Sequence, residues 1–397
     1  MPIDAAGIQS GNTAPGAQPP SVVFVIDRVA HYHLAMLRAV AQGLSARGIT
    51  FTVLSSQDPE GAVGRTAAGE SVDARHRHFG LTEWRIGRFT LRHQHGLLKL
   101  LHELRPGVVV SCCHVGTFSE WWLLGWARRH QLQAIAWQCG YEYNRSWIKS
   151  LAWRWMVPIF DFHLCYHSQA QRFAKKYGAS AEQTVVMHNT IDETQIWRGS
   201  KKLARSRLAE RWPGCRDKKI VLFVGAVLQE KCLDRVFAAL DRLADPTIHF
   251  MLVGDGPYLS VLRARYRARS DWTSAGQVLE GVGLYFDAAD LFVLPGTGGL
   301  AINEAMAHGL PVVCGQADGS ADDLVEAGVN GLRLVDGTAQ ELAGCIAQVL
   351  ADPEQAAAMG ARGEARIRQR LTFQSFVATV VSALAAASAF AVAADAG

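Results

Sequence analysis

Short continuous runs of β-branched and aromatic residues alternate along this chain with stretches whose apolar positions recur at helical spacing. Val22-Val-Phe-Val-Ile26 is the first such run, and an apolar run without polar interruption is the pattern of a strand covered on both faces of a parallel sheet. A polar loop, Asp27 to His33, leads into a helical pattern ending at Arg47-Gly48, and Ile49-Thr-Phe-Thr-Val-Leu54 reads as the next strand. The same rhythm predicts a helix over 93–104 closed by Pro106, a strand at 108–110, a helix over 120–130 and a strand at 134–137. It continues with a strand near 162–166, a helix over 168–177 and a short strand at 184–188.

Near residue 195 the pattern restarts. Ile220-Val-Leu-Phe-Val224 and His249-Phe-Met-Leu-Val253 read as strands flanking a helix over 232–243, and the second of them runs into Gly254-Asp-Gly-Pro257. A strand at 291–294, a glycine-rich loop, a helix over 301–308 and a strand at 311–313 follow. Alternating strands and helices of this kind build parallel sheets covered on both faces. The expected fold class is therefore α/β, with two Rossmann-like doubly wound domains at 21–194 and 195–372 facing across a cleft. A disordered tail over 1–20 and a C-terminal helix over 373–397, packing back on the first domain, complete the expected layout.

Length supports this division, because single cores stop growing at about 250–300 residues and the chain has 397. A net charge of +4 lacks the basic excess of a protein built around nucleic acid, so no nucleic-acid partner is expected. The eight cysteines, at 112, 113, 139, 165, 215, 232, 314 and 345, show neither paired metal spacing nor disulfide-scaffold density, and read as thiols in a reducing, cytoplasmic setting. No export signal is read in the first 20 residues. The Ala-rich end, 382–396, is read as too short and too weakly hydrophobic to cross a bilayer.

The most informative stretch is Pro295-Gly-Thr-Gly-Gly-Leu-Ala-Ile-Asn-Glu304. A glycine-rich loop that leaves a strand and opens a helix aims unpaired backbone N–H groups and the helix dipole at an anion. Glu304, one turn into that helix, can accept two hydrogen bonds from vicinal hydroxyls such as those of a ribose. Lys231, just before a helix start, opposes the dipole there and so favours an anion nearby.

Four segments occur in order: 225–231, 254–257, 285–295 and 304–313. Together they resemble the C-terminal domain of family 4 of the glycosyltransferases, which have the GT-B fold, over about 218–337. His31-Tyr-His33, Asp161 and Asn189-Thr-Ile-Asp192 resemble the same family more loosely. The resemblance implies a nucleotide-diphosphate sugar as donor, UDP favoured and GDP as the alternative base. It implies Lys231 on the diphosphate and Glu304 on the ribose. Gly225, Gly254, Asp255, Gly298, Gly299, Leu300 and Asn303 would line the donor site. It further implies retention of anomeric configuration, with a glycan or lipid-linked acceptor in surface polysaccharide or glycolipid synthesis. The chain departs from the family pattern at Gly296, where the first of two paired glutamates is usual, at Ala226, where a diphosphate-binding arginine is usual, and within Gln138-Cys-Gly-Tyr-Glu142, where a histidine is usual after the strand at 134–137.

In the first domain, residues following strands are the candidates to face the cleft, since ligands of open α/β sheets bind outside the carboxyl ends of the strands. These are Asp27, His31, His33, His114 and Glu142, with His114 and Glu142 as catalytic candidates. Asp27 could equally cap the following helix, and His114 could be a satisfied strand-end histidine. No cofactor and no metal are expected, because no Asp-x-Asp motif is present. Two segments mixing tryptophan with cations, 120–129 and 147–156, suggest contact with a membrane surface as an alternative to core packing. The rival readings are a GT-B sugar-nucleotide epimerase or phosphorylase and a non-catalytic nucleotide-sugar-binding protein.

Overall fold

A computed structural model of the chain describes residues 19–56, 75–87, 89–140, 146–196 and 198–395. Most of the expected tail, and Glu142, lie outside these residues. The first half runs β1 (Ser21–Val25), α1 (Leu34–Ser45), β2 (Thr50–Ser56), β3 (His76–Ile86), β4 (Phe89–His95), α2 (Leu97–Leu104), β5 (Val108–Ser111), α3 (Phe118–Arg129), β6 (Gln133–Gln138), α4 (Trp147–Met156), β7 (Phe162–Cys165), α5 (Ser168–Lys176) and β8 (Thr184–Val186). Its eight strands form one sheet in the order β4-β3-β2-β1-β5-β6-β7-β8, parallel except for the β3–β4 hairpin. The uninterrupted apolar strands lie at its centre: all four residues of β5 are buried, as are Val22 to Val25 of β1.

The second half runs α6 (Lys201–Arg211), β9 (Lys219–Val224), α7 (Asp234–Leu243), β10 (Ile248–Val253), α8 (Leu259–Arg265), β11 (Trp272–Gly276), α9 (Gly283–Ala288), β12 (Leu291–Leu294), α10 (Leu300–Ala307), β13 (Val312–Cys314), α11 (Ala321–Leu324), β14 (Gly331–Arg333), α12 (Ala339–Ala351), α13 (Pro353–Arg370) and α14 (Phe373–Asp395). Six parallel strands take the order β11-β10-β9-β12-β13-β14. The order reverses between β9 and β12, and a crevice opens at such a switch point.

Two expectations need correction. The helix predicted over 93–104 begins only at Leu97, because His93–His95 belong to β4 and Gly96, at φ 80°, turns the chain between them. The helical pattern had been extended through polar residues that in fact alternate across a hairpin. The Ala-rich end is not short: α14 has 23 residues, and within Pro353–Ala391 one window reaches a mean hydropathy of 1.6, sufficient in length and composition for a bilayer span. In the structure its stripe of Phe376, Val380, Val381 and Leu384 joins the core on one face of the first sheet, beside α1. Gly43 of α1 makes that contact close, since a side chain there would meet Val381 Cγ2 at 2.8 Å.

Candidate active site

Three strand ends of the second sheet meet at the switch point. β9 leads into Gly225 at φ 146°, and β10 into Gly254 at φ 137° and Gly256 at φ 157°. Side chains at Gly254 and Gly256 would collide with the carbonyl oxygens of Gly225 and Val227, so the two turns pack backbone on backbone. Val227 N–H donates to the Asp255 carbonyl at 2.9 Å, while the Asp255 carboxylate accepts from the Gly256 amide at 2.8 Å and so holds its own turn.

The third end, from β12, is the glycine-rich loop. Thr297 N–H donates to the Glu230 carbonyl at 3.1 Å, and Lys231 Nζ donates to the Thr297 carbonyl at 2.6 Å. The ammonium lies 3.1 Å from where a side chain on Gly298 would begin, and Gly298 has φ 135°. Lys231 therefore stands against the loop that the sequence assigned to an anion. Gly299 caps α10, whose first amides, like those of any helix, have no acceptor within the helix. Glu304 sits in this helix, largely buried, and its carboxylate meets no hydrogen-bond donor among the described residues; burial pushes its pKa up to about 7. The helix thus begins with amides that have no acceptor within it and carries, one turn on, a carboxylate without a donor among the described residues.

Two of the departures have structural counterparts. A side chain at Gly296 would collide with the backbone of Glu230 and Lys231, so the close seating of the Lys231 segment on the loop requires glycine. Ala226 places no cation on its turn. Asn303 is fully buried, and its amide donates to the Asn189 carbonyl of the first domain at 3.3 Å, leaving Oδ1 without a partner. It ties the two domains together, which the sequence reading of it as a sugar contact did not anticipate.

In the first domain, the strand ends of β1 and β5 bring Asp27 and His114 to a small cavity of about 10 Å³, also lined by Gln94, Ser111, Cys112 and Glu120. Such a volume holds about one water molecule. Asp27 accepts from Gln94 Nε2 at 2.7 Å and pairs with Arg92 at 3.4 Å, and Arg92 with Arg28 also holds Glu83. Asp27 does not cap α1, whose first residue follows His33 without a side-chain cap. His33 Nδ1 accepts from the Ala30 amide at 3.1 Å, and His31 lies at the start of a short 3-10 turn. Glu120 was read only as part of a tryptophan-rich helix. Its buried carboxylate accepts from Ser111 Oγ (2.7 Å) and from the amides of Cys113 (2.6 Å) and His114 (2.7 Å), fixing the loop that presents His114. Burial raises the Glu120 pKa to about 7 against these bonds, and burial lowers that of His114, with Asp27 pulling the other way. The signal missed was Glu120 within the first turn of a helix following a strand end. Gln94 was missed because 93–95 was read as helix, and Arg92 because the hairpin before it was not read as strand.

The carboxyl ends of the two sheets face each other. Ser168 N–H donates to Asp323 Oδ2 at 2.7 Å, His188 lies 3.4 Å from the same carboxylate, and Arg172 pairs with Asp322 at 2.6 Å. Burial works upward on the Asp323 pKa, but the nearby His188 ring and donation from the Ser168 amide hold it down to about 2. Among the described residues no group of three or more metal-ligating side chains occurs. The tryptophan-rich segments differ in placement. Leu123, Leu124 and Ala127 of α3 are buried, whereas α4 turns Trp147, Ile148, Leu151 and Trp155 outward, at 77%, 53%, 50% and 70% exposure.

The sequence matches two family models: "Glycosyltransferase Family 4" over residues 35–195 and "Glycosyl transferases group 1" over 208–366. A GDP-mannose-dependent alpha-(1-6)-phosphatidylinositol monomannoside mannosyltransferase of Mycolicibacterium smegmatis is 33% identical over 180 residues, 40% of this chain and 46% of that protein. The sulfoquinovosyl transferase SQD2 of Arabidopsis thaliana is 27% identical over 193 residues, 47% of this chain and 37% of that protein. The chain thus matches about half the length or less of these curated relatives. The solved structure of Anabaena HepE in complex with UDP-glucose has a TM-score of 0.72 at 18% identity, covering 92% of this chain and 99% of that one. Sucrose-phosphate synthase from Thermosynechococcus elongatus has a TM-score of 0.69 at 19% identity, covering 91% and 97%. At these identities the likeness is one of fold, and the fold is GT-B.

Proposed function

This chain belongs to family 4 of the glycosyltransferases, and we propose that it moves a hexose from a nucleotide-diphosphate donor to a glycan or lipid-linked acceptor with retention and without a metal. What supports this reading is the seating of Lys231 against the loop at Gly298 and the presence, in the helix that this loop opens, of Glu304 with no hydrogen-bond donor among the described residues. Glu304 takes the ribose hydroxyls. Lys231 and the glycine-rich loop beside it take the diphosphate, stabilising the charge that develops as it leaves, and the amides of Gly298, Gly299 and Leu300 help to hold the sugar. The bond from the anomeric carbon to the diphosphate oxygen breaks, the acceptor oxygen bonds to the same face of that carbon, and the acceptor proton passes to the departing diphosphate. UDP is the favoured donor base, and the GDP-mannose dependence of the mycobacterial relative keeps GDP in the test. The role is surface polysaccharide or glycolipid synthesis.

A thermal-shift screen of nucleotide-diphosphate sugars tests the donor, because a ligand at 100 times its Kd adds about 2.7 kcal/mol of stability. Lys231→Ala and Glu304→Ala each remove the shift given by the preferred donor; a shift that survives both replacements rules out this site. Anomeric coupling in the product, read by NMR, decides retention. Binding without transfer to any acceptor would favour the non-catalytic reading, to which the absence of a carboxylate at Gly296 and of a cation at Ala226 lends weight.

We further propose that the protein works on the cytoplasmic face of a membrane. A helix that turns its large apolar residues outward, with Arg154 at the margin and no acidic residue, fits an interface where Trp and cations sit at headgroup level. Flotation with vesicles of phosphatidylcholine, with and without phosphatidylglycerol, tests this. Wild type floats with the anionic vesicles and Trp147→Ser/Trp155→Ser does not; absence of flotation in wild type removes the proposal.

A further inference from the structure

Three acidic side chains lie close together after β13, and two of them are paired. Asp322 bonds Arg172 and Arg333, and Asp323 accepts from Ser168 and lies 3.4 Å from His188. Asp318 differs. Its Oδ1 accepts from Ser320 N–H at 3.0 Å and Ser320 Oγ at 2.6 Å, neither Arg nor Lys pairs with it among the described residues, the imidazole of His167 lies close enough to feel its charge and bonds its backbone, and no donor meets Oδ2. It is only partly buried, on a loop whose Gly319 presses against His167 and Gln169 of the first domain. Its carboxylate also stands directly over the cap of α10: a side chain begun on Gly299 would lie 2.7 Å from Asp318 Oδ2 and 2.9 Å from Oδ1.

A carboxylate so near an anion-binding helix end constrains what can lie between them. Two negative groups repel at this range, so the diphosphate cannot be the neighbour of Asp318. A hydroxyl-bearing group can, because an ionised carboxylate only accepts hydrogen bonds and each sugar hydroxyl donates one. We propose that Asp318 contacts hydroxyls of the transferred sugar, orienting the donor with its sugar toward the β13–α11 loop and its diphosphate toward Lys231. This rests on the reading of the donor site given above. The side chain that Gly296 cannot carry is thereby replaced by a carboxylate from a different loop. Gly299 is part of the arrangement, since any side chain there would displace Asp318.

The test compares a nucleoside diphosphate with its own sugar conjugate by calorimetry, using UDP with UDP-glucose and GDP with GDP-mannose. Asp318→Ala weakens the sugar conjugate about tenfold, the scale of a lost hydrogen bond to a charged group. It leaves the bare diphosphate unchanged or tighter. Asp318→Asn, which keeps the bonds to Ser320, shows the same split with a smaller loss. Equal weakening of both ligands would mean that Asp318 merely holds its loop, and no change in either would mean that it touches nothing; each overturns the inference. If wild type binds none of the four probes, the donor reading itself fails and the inference with it, an outcome distinct from the other two.

Discussion

Glu304 is the residue whose chemistry is most exposed to experiment. Its pKa, raised by burial to about 7, lies above the ordinary carboxylate value, so the free protein holds a proton there at pH 6 that an unfolded chain would have lost. The sign follows. Folding stability tied to this group falls as pH rises from the unfolded value, near 4.3, through about 7, and then levels. Donor binding needs the acceptor form, so affinity rises with pH over the upper part of that window and binding near pH 6 releases a proton. Calorimetry in buffers of different ionisation enthalpy reads that release, and Glu304→Gln abolishes it. Gly296 gives a second prediction at this scale. Restoring a glutamate there should not improve the enzyme, because the first carbon of any side chain meets the backbone of Glu230 and Lys231. Gly296→Ala and Gly296→Glu should both lower the melting temperature and the donor-induced shift; an active, stable Gly296→Glu variant would contradict the geometry.

Among the elements, α14 and α3 carry arguments that their own sequences hide. α14 is Ala-rich and uniformly apolar, and its function is to close the first domain although it follows the second in sequence. Leu384 is 1% exposed within that contact. Leu384→Ala should therefore cost about 2–5 kcal/mol, the range for truncating a buried leucine, and hydrogen exchange should locate the loss in α1, β1 and β5 rather than in the second sheet. In α3, Glu120 satisfies two buried amides. Glu120→Ala leaves them unpaired, at about 1–3 kcal/mol for each such group, whereas Glu120→Gln keeps part of the bonding and should lose less on denaturant titration.

Across the whole molecule, the junction between domains depends on a few charged contacts. The Asp323 pKa, held down to about 2, lies below its ordinary value, so its contribution is present above pH 4 and is lost as pH falls toward 2. Acid titration followed by small-angle scattering should show the domains separating over that interval. Asp323→Asn should already loosen the junction at neutral pH, while each domain keeps its own secondary structure by circular dichroism. An unchanged scattering profile in the variant would show that the remaining contacts, among them Asn303 to Asn189, Arg172 to Asp322 and α14 on the first sheet, hold the junction without it.

The sequence by itself determined what depends on local periodicity and on backbone chemistry. Uninterrupted runs such as Val22–Ile26 can only be strands buried on both faces, and a glycine-rich loop opening a helix places N–H groups and a carboxylate at Glu304 whatever surrounds them. The doubly wound order was legible for that reason, as was the seating of Lys231 beside the loop at Gly298 that opens the helix carrying Glu304. Tertiary structure decided everything that required two distant segments to meet. It turned His93–His95 into a strand, because a β partner outweighs an extension of helical spacing. It turned Asn303 toward Asn189, brought Arg92 and Gln94 to Asp27, and set Asp318 over Gly299. None of these follows from spacing along the chain, since each depends on which sheet edges pack together once both cores have closed.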